Sequence, residues 1–119
     1  MHSSRSALAL VLALGACGTD VSSGTAADPV CTTSVLTYEN FGAPFLLDWC
    51  RGCHSSTQPV GMRQDAPMGV DFDDLGRVRD FAATIELRAT GLTPNMPPAA
   101  GPSPEERAML AEWITCGAR

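Results

Sequence analysis

The sequence predicts an all-α fold, and two observations carry that expectation. No run of strong β-formers alternates over six or more residues, so nothing in the chain reads as a strand. Three stretches instead group apolar residues at intervals of three and four between recognisable helix start and stop signals. A chain of 119 residues holds one small domain with short appendages.

The first sixteen residues read as an export signal. Arg5 supplies a positive charge, "ALALVLALGA" from Ala7 to Ala16 is a short apolar run, and Cys17 follows small residues. That run is too short for a permanent membrane span. Leu14, Gly15, Ala16 and Cys17 resemble a bacterial lipoprotein signal, which implies lipid on Cys17. The alternative is an ordinary cleaved signal in which Cys17 is incidental. The expected location is the periplasmic side of the cell envelope, tethered to the inner or the outer membrane. Residues 17–35 are then expected to be a flexible tether, because "GTDVSSGTAADPV" is small, polar and aperiodic. The domain proper is expected over residues 36–119.

Within the domain, "APFLLDWC" from Ala43 to Cys50 has Pro44 at a first helical position and groups Phe45, Leu46, Trp49 and Cys50 on one face. A second helical region is expected from an N-cap at Asp71 to a stop at Gly91. Leu75, Val78, Phe81, Ala82 and Ile85 lie on one side of it, and Gly76 is a point where it can divide. The third segment is the clearest. Ser103 is its N-cap, Pro104 its first residue, Glu106 completes a capping box and Gly117 closes it. Its apolar stripe is expected to be Met109, Leu110, Trp113 and Ile114.

The chemistry concentrates in "CRGCH", Cys50 to His54. Cysteines at i and i+3 lie about one helical turn apart, so two thiols can reach the two vinyl groups on one edge of a porphyrin while the next histidine turns toward the iron. Two rivals compete for the same letters. A structural zinc site needs four ligands from separated pairs, but the chain without its signal keeps a single histidine, His54, and Cys31 and Cys116 are not spaced as a second pair. A thiol oxidoreductase is the other rival, since "WCRGC" from Trp49 to Cys53 looks like a tryptophan-led redox pair. That motif should follow a strand and open a helix, and here it ends one.

A sixth iron ligand would come from a methionine, because a soft thioether suits iron and no second histidine remains. Met62 and Met68 lie in a Gly- and Pro-containing loop as surface or pocket lining, and Met109 reads as core. Met96 in "GLTPNMPPAAGP" is the expected ligand, with Pro94, Pro97 and Pro98 restricting the backbone around it.

Through "CRGCH", "NMPP" at 95–98 and "SPEERAMLAEWITCGA", the chain resembles the monohaem class I cytochrome c family over about residues 36 to 118. The resemblance implies a small fold of three to four short helices packed around one covalently attached haem c. It implies Cys50 and Cys53 as thioether attachment points, His54 and Met96 as axial ligands, and Phe41 or Phe45 meeting Leu110, Trp113 or Ile114. It also implies electron transfer rather than substrate chemistry, with a haem-based small-ligand sensor as the alternative. After lipid and haem are assigned, Cys31 and Cys116 are left for a disulfide, the alternative being two buried free thiols.

Charge limits the partners. All eight basic residues are arginine, so the lysine ring through which familiar mobile cytochromes dock is absent. Loss of Arg5 leaves seven arginines against 13 acids, a formal charge of −6. Such a chain offers no basic nucleic-acid surface and favours redox partners with a basic docking face. Arg51, Arg63 and Arg88 are the arginines near enough in sequence to pair with a haem propionate, and Arg88 is the preferred one.

Overall fold

A computed structural model describes residues 28–119. Five α-helices, two π-helical turns and a 3₁₀ turn make up about half of it, with no strand among the described residues, so the fold class is all-α. The expected signal, Cys17 and the expected tether as far as residue 27 lie outside the described residues.

Helix α1 (Pro29–Thr33) is capped by Asp28, whose carboxylate accepts the Val30 N–H at 3.0 Å. This differs from the expectation of a leash running to residue 35. Cys31, on this helix, is bonded to Cys116 at the end of the last helix, with S–S at 2.06 Å. A short polar segment with no buried side chain of its own is thus fixed covalently rather than by packing.

A π-helical turn, Tyr38–Gly42, leads into α2 (Ala43–Trp49). Thr37 and Asn40 form a capping box across its start, Asn40 N donating to Thr37 Oγ1 and Thr37 N to Asn40 Oδ1. The helical rod therefore starts a turn earlier than Pro44 alone suggests. The extra turn carries Phe41 and Gly42 into the core, where Phe41 meets the Trp113 ring edge-on at 6.1 Å and Phe45 at 5.3 Å. Gly42 is needed there because a Cβ would lie inside the Trp113 indole.

After a 3₁₀ turn (Val60–Met62), α3 (Leu75–Asp80) begins at Asp74, not at Asp71. Asp74 caps the Arg77 N–H at 3.0 Å, whereas the Asp71 carboxylate is taken by the buried Arg63 guanidinium at 2.7 Å. The division of this region falls at Phe81 instead of Gly76. Phe81 leaves helical geometry at φ −102°, ψ 9°, with its ring edge-on to Phe72 at 6.0 Å, and α4 (Ala82–Ile85) then continues through a π-helical turn, Glu86–Thr90. Gly76 stays helical and its extra freedom is unused.

Helix α5 (Pro104–Thr115) has the capping box expected of it: Glu106 N donates to Ser103 Oγ at 3.1 Å and Ser103 N to Glu106 Oε2 at 2.7 Å. Gly117 ends it at φ 83°. Its buried stripe is Leu110, Trp113 and Ile114. Met109 departs from the expected core, being 39 % exposed, because it lies about 100° round the helix from Leu110, at the edge of that stripe. The Trp113 indole N–H, which would be costly to bury alone, donates to the Arg119 carbonyl at 3.0 Å.

Candidate functional site

Helix α2 ends at Trp49, and the chain keeps turning through the cysteine motif. Both the Cys53 and His54 N–H groups donate back to the Cys50 carbonyl, at 3.2 and 2.9 Å. That one turn sets Cys50, Cys53 and His54 along a single cavity of about 500 Å³, a size suited to an organic cofactor. The walls are largely apolar, with Trp49, Val70, Phe72, Phe81 and Ile85 among them. Neither cysteine is disulfide-bonded, and both are half-buried.

The His54 ring is fixed from two directions. Its Nδ1–H donates to the Val70 carbonyl at 2.9 Å, and its face lies on the Phe72 ring with centroids 5.0 Å apart. A carbonyl only accepts, so this bond places the proton on Nδ1 and leaves the Nε2 lone pair available to a metal.

What holds Val70 and Phe72 in place is a buried arginine. Arg63 is 1 % exposed, and the loop between Ser55 and Asp71 wraps around it. Its guanidinium donates to the carbonyls of Ser55, Ala66 and Pro67 and pairs with Asp71. A charge this deep is tolerated because each guanidinium nitrogen has an acceptor and the Asp71 carboxylate balances the charge. The Phe72 N–H closes the same loop onto the His54 carbonyl at 2.9 Å.

A second set of contacts seals the turn just past the motif. Asp73 accepts from Ser55 Oγ at 2.6 Å and from the Ser56 N–H at 2.7 Å, and its carboxylate lies 3.4 Å from Arg51 Nε. The Ser55 hydroxyl first, then the Ser56 amide, hold the Asp73 carboxyl down at about 2, below its ordinary value of 3.8. Cys50 moves the other way: burial pushes its thiol from 9.0 up to about 12. It also caps the C-terminal end of α2, where the helix dipole opposes a thiolate.

Met96 lines the same cavity, as do Pro97, Pro98 and Arg88. The other methionines are placed elsewhere: Met62 and Met68 are 64 % and 67 % exposed, and neither lines the cavity. Of the three arginines expected near a propionate, Arg63 is buried and paired with Asp71, and Arg51 lies beside Asp73 and lines no part of the cavity. Arg88 alone of the three lines the cavity, and its side chain has no hydrogen-bond or ion-pair partner among the described residues.

These residues fit a haem attached through two thioethers, on the chemistry of the donor set: two free thiols one turn apart, an imidazole with one nitrogen engaged, and a thioether, all on one apolar cavity. Among the described residues no three of His, Cys, Asp and Glu gather as a metal-ligand group. Sequence reading did not reach the Val70 carbonyl, the Phe72 ring or the packing of Arg63. A backbone acceptor leaves no letter in the sequence, and a lone loop arginine looks the same whether buried or solvated. No protein-family model, curated protein or solved structure matches this chain.

Proposed function

We propose that this protein carries single electrons at the bacterial cell envelope, through one haem c bound covalently at Cys50 and Cys53 with His54 and Met96 as axial ligands. The observation that supports the reading most is the meeting of these four side chains, from two distant parts of the chain, on one apolar cavity. Bound there, haem iron supplies reversible one-electron oxidation and reduction. The chain's own residues do the rest. Val70 and Phe72 orient His54 and engage its Nδ1–H, leaving Nε2 for the iron, the aromatic and proline walls exclude water, and Arg88 would pair with a propionate.

Thiol redox chemistry is the weaker reading. Reactive cysteine pairs place their nucleophile where a thiolate is stabilised, and Cys50 is half-buried at the C-terminal end of a helix, with its thiol pushed up. The protein would act as a carrier with no substrate chemistry of its own. The acidic surface suits redox partners with a basic docking face, and lipid on Cys17 would keep the carrier at the membrane. No helix among the described residues is long and apolar enough to cross a membrane.

The test is the visible spectrum of protein made in a host that attaches haem c. Sharp α and β bands are expected on reduction, and a colourless product overturns the reading. Met96→Ala should abolish the weak far-red methionine–iron band of the oxidised protein. Rapid carbon monoxide binding by the untouched reduced protein would favour the sensor alternative.

A further inference from the structure

Met96 sits in a stretch with no regular structure, yet both of its flanking peptide groups are held. The Asn95 and Met96 N–H groups donate to the Arg88 carbonyl at 2.9 and 3.0 Å, closing the loop onto the end of the α4 segment. The Met96 carbonyl accepts from Arg107 Nη1 at 2.8 Å, and the same nitrogen donates to the carbonyl of buried Ala89. Arg107 belongs to the first turns of α5, the helix that also carries Leu110 and Trp113 in the core. The Met96 loop is thus fastened to the longest helix of the fold by one guanidinium. Gly101 passes directly over it, so closely that a Cβ there would collide with Arg107 Nη2.

We propose that Arg107 is the positioning residue for Met96: it ties the ligand loop to α5, and the strength of that tie sets how firmly the distal position is closed to an outside ligand. The inference rests on the haem reading above. Arg107 does not line the cavity and acts only through backbone carbonyls, that of Met96 itself and that of Ala89. Its two acceptors belong to different segments, Ala89 on the π-helical turn and Met96 on the loop, so one side chain sets the spacing between them. A fixed loop offers the thioether at high effective concentration, and an external ligand must first displace it.

The experiment compares haem-loaded wild type with Arg107→Gln, Arg107→Lys and Arg79→Gln. Arg79 donates to the Gly117 and Ala118 carbonyls at the C-terminus of the chain and lines no part of the cavity, so it reports general destabilisation. Three readouts are taken: imidazole affinity of the oxidised protein, the far-red band, and amide hydrogen exchange at Met96. Arg107→Gln should bind imidazole at least about tenfold more tightly, because a mostly opened loop no longer taxes the entering ligand. Its far-red band should weaken and its Met96 amide should exchange faster, with Arg107→Lys between it and wild type.

The proposal is overturned if Arg107→Gln, or Arg107→Lys where the first does not accumulate, keeps wild-type imidazole affinity and band. Equal changes in Arg79→Gln overturn it too. Should Met96→Ala abolish the far-red band while the Arg107 variants change nothing, this inference fails and the haem reading stands; failure to attach haem overturns both.

Discussion

At the scale of single residues, the site is organised through a chain of contacts that ends on a side chain outside the cavity, Arg63. His54 is aimed by a carbonyl, that carbonyl is held by a loop, and the loop is wrapped round Arg63. Asp73 is the group here whose contribution depends on pH. Its folded pKa, about 2, lies below the ordinary 3.8, so the stability it gives is fully present above the unfolded value and is lost as pH falls through about 2. Asp73→Asn should therefore unfold at lower denaturant than wild type at pH 7, and the gap between the two should shrink as pH falls from about 4 to about 2. Denaturant melts across that range check this, and a gap independent of pH would assign the role of Asp73 to shape alone.

At the scale of elements, the ends of α5 were legible, and the start of α3 and the break after it were not. Ser103, Pro104 and Glu106 announce α5 because a capping box is a local exchange of hydrogen bonds between residues three apart. The break at Phe81 and the start at Asp74 follow from distant partners, Phe72 for one and the Arg63–Asp71 pair for the other. Local letters therefore pointed to Gly76 and Asp71. The same logic governs the turn before α2, which approaches α5 so closely that Gly42 faces the Trp113 ring with no room for a methyl group. Gly42→Ala should lower unfolding stability by about 2 kcal/mol or more, as overpacking against a fixed aromatic does, measured by urea titration. A neutral substitution would mean that Trp113 can move aside, which its complete burial opposes.

At the scale of the whole molecule, a small all-α domain with a core of eleven buried apolar residues gains from a covalent link between its ends. The Cys31–Cys116 bridge spans 85 residues, and the paired change Cys31→Ser with Cys116→Ser should cost about 2–5 kcal/mol in denaturant melts. A disulfide reductant should reproduce that loss in wild type and do nothing to the paired variant. Taken by itself, the sequence determined the helical class, the capping of α5, the turn that presents Cys50, Cys53 and His54, and Met96 as the methionine to watch. Each of these is written in residues within a few positions of one another, where the chain's own geometry dictates what neighbours can do. Only the tertiary structure decided that Met109 is at the surface, that Arg63 is a buried scaffold, that Val70 and Phe72 aim the histidine, and that Arg107 fastens the methionine loop. Those contacts join segments far apart in the chain, mostly through backbone carbonyls, and a carbonyl is common to every residue and so invisible until the fold brings it to a partner.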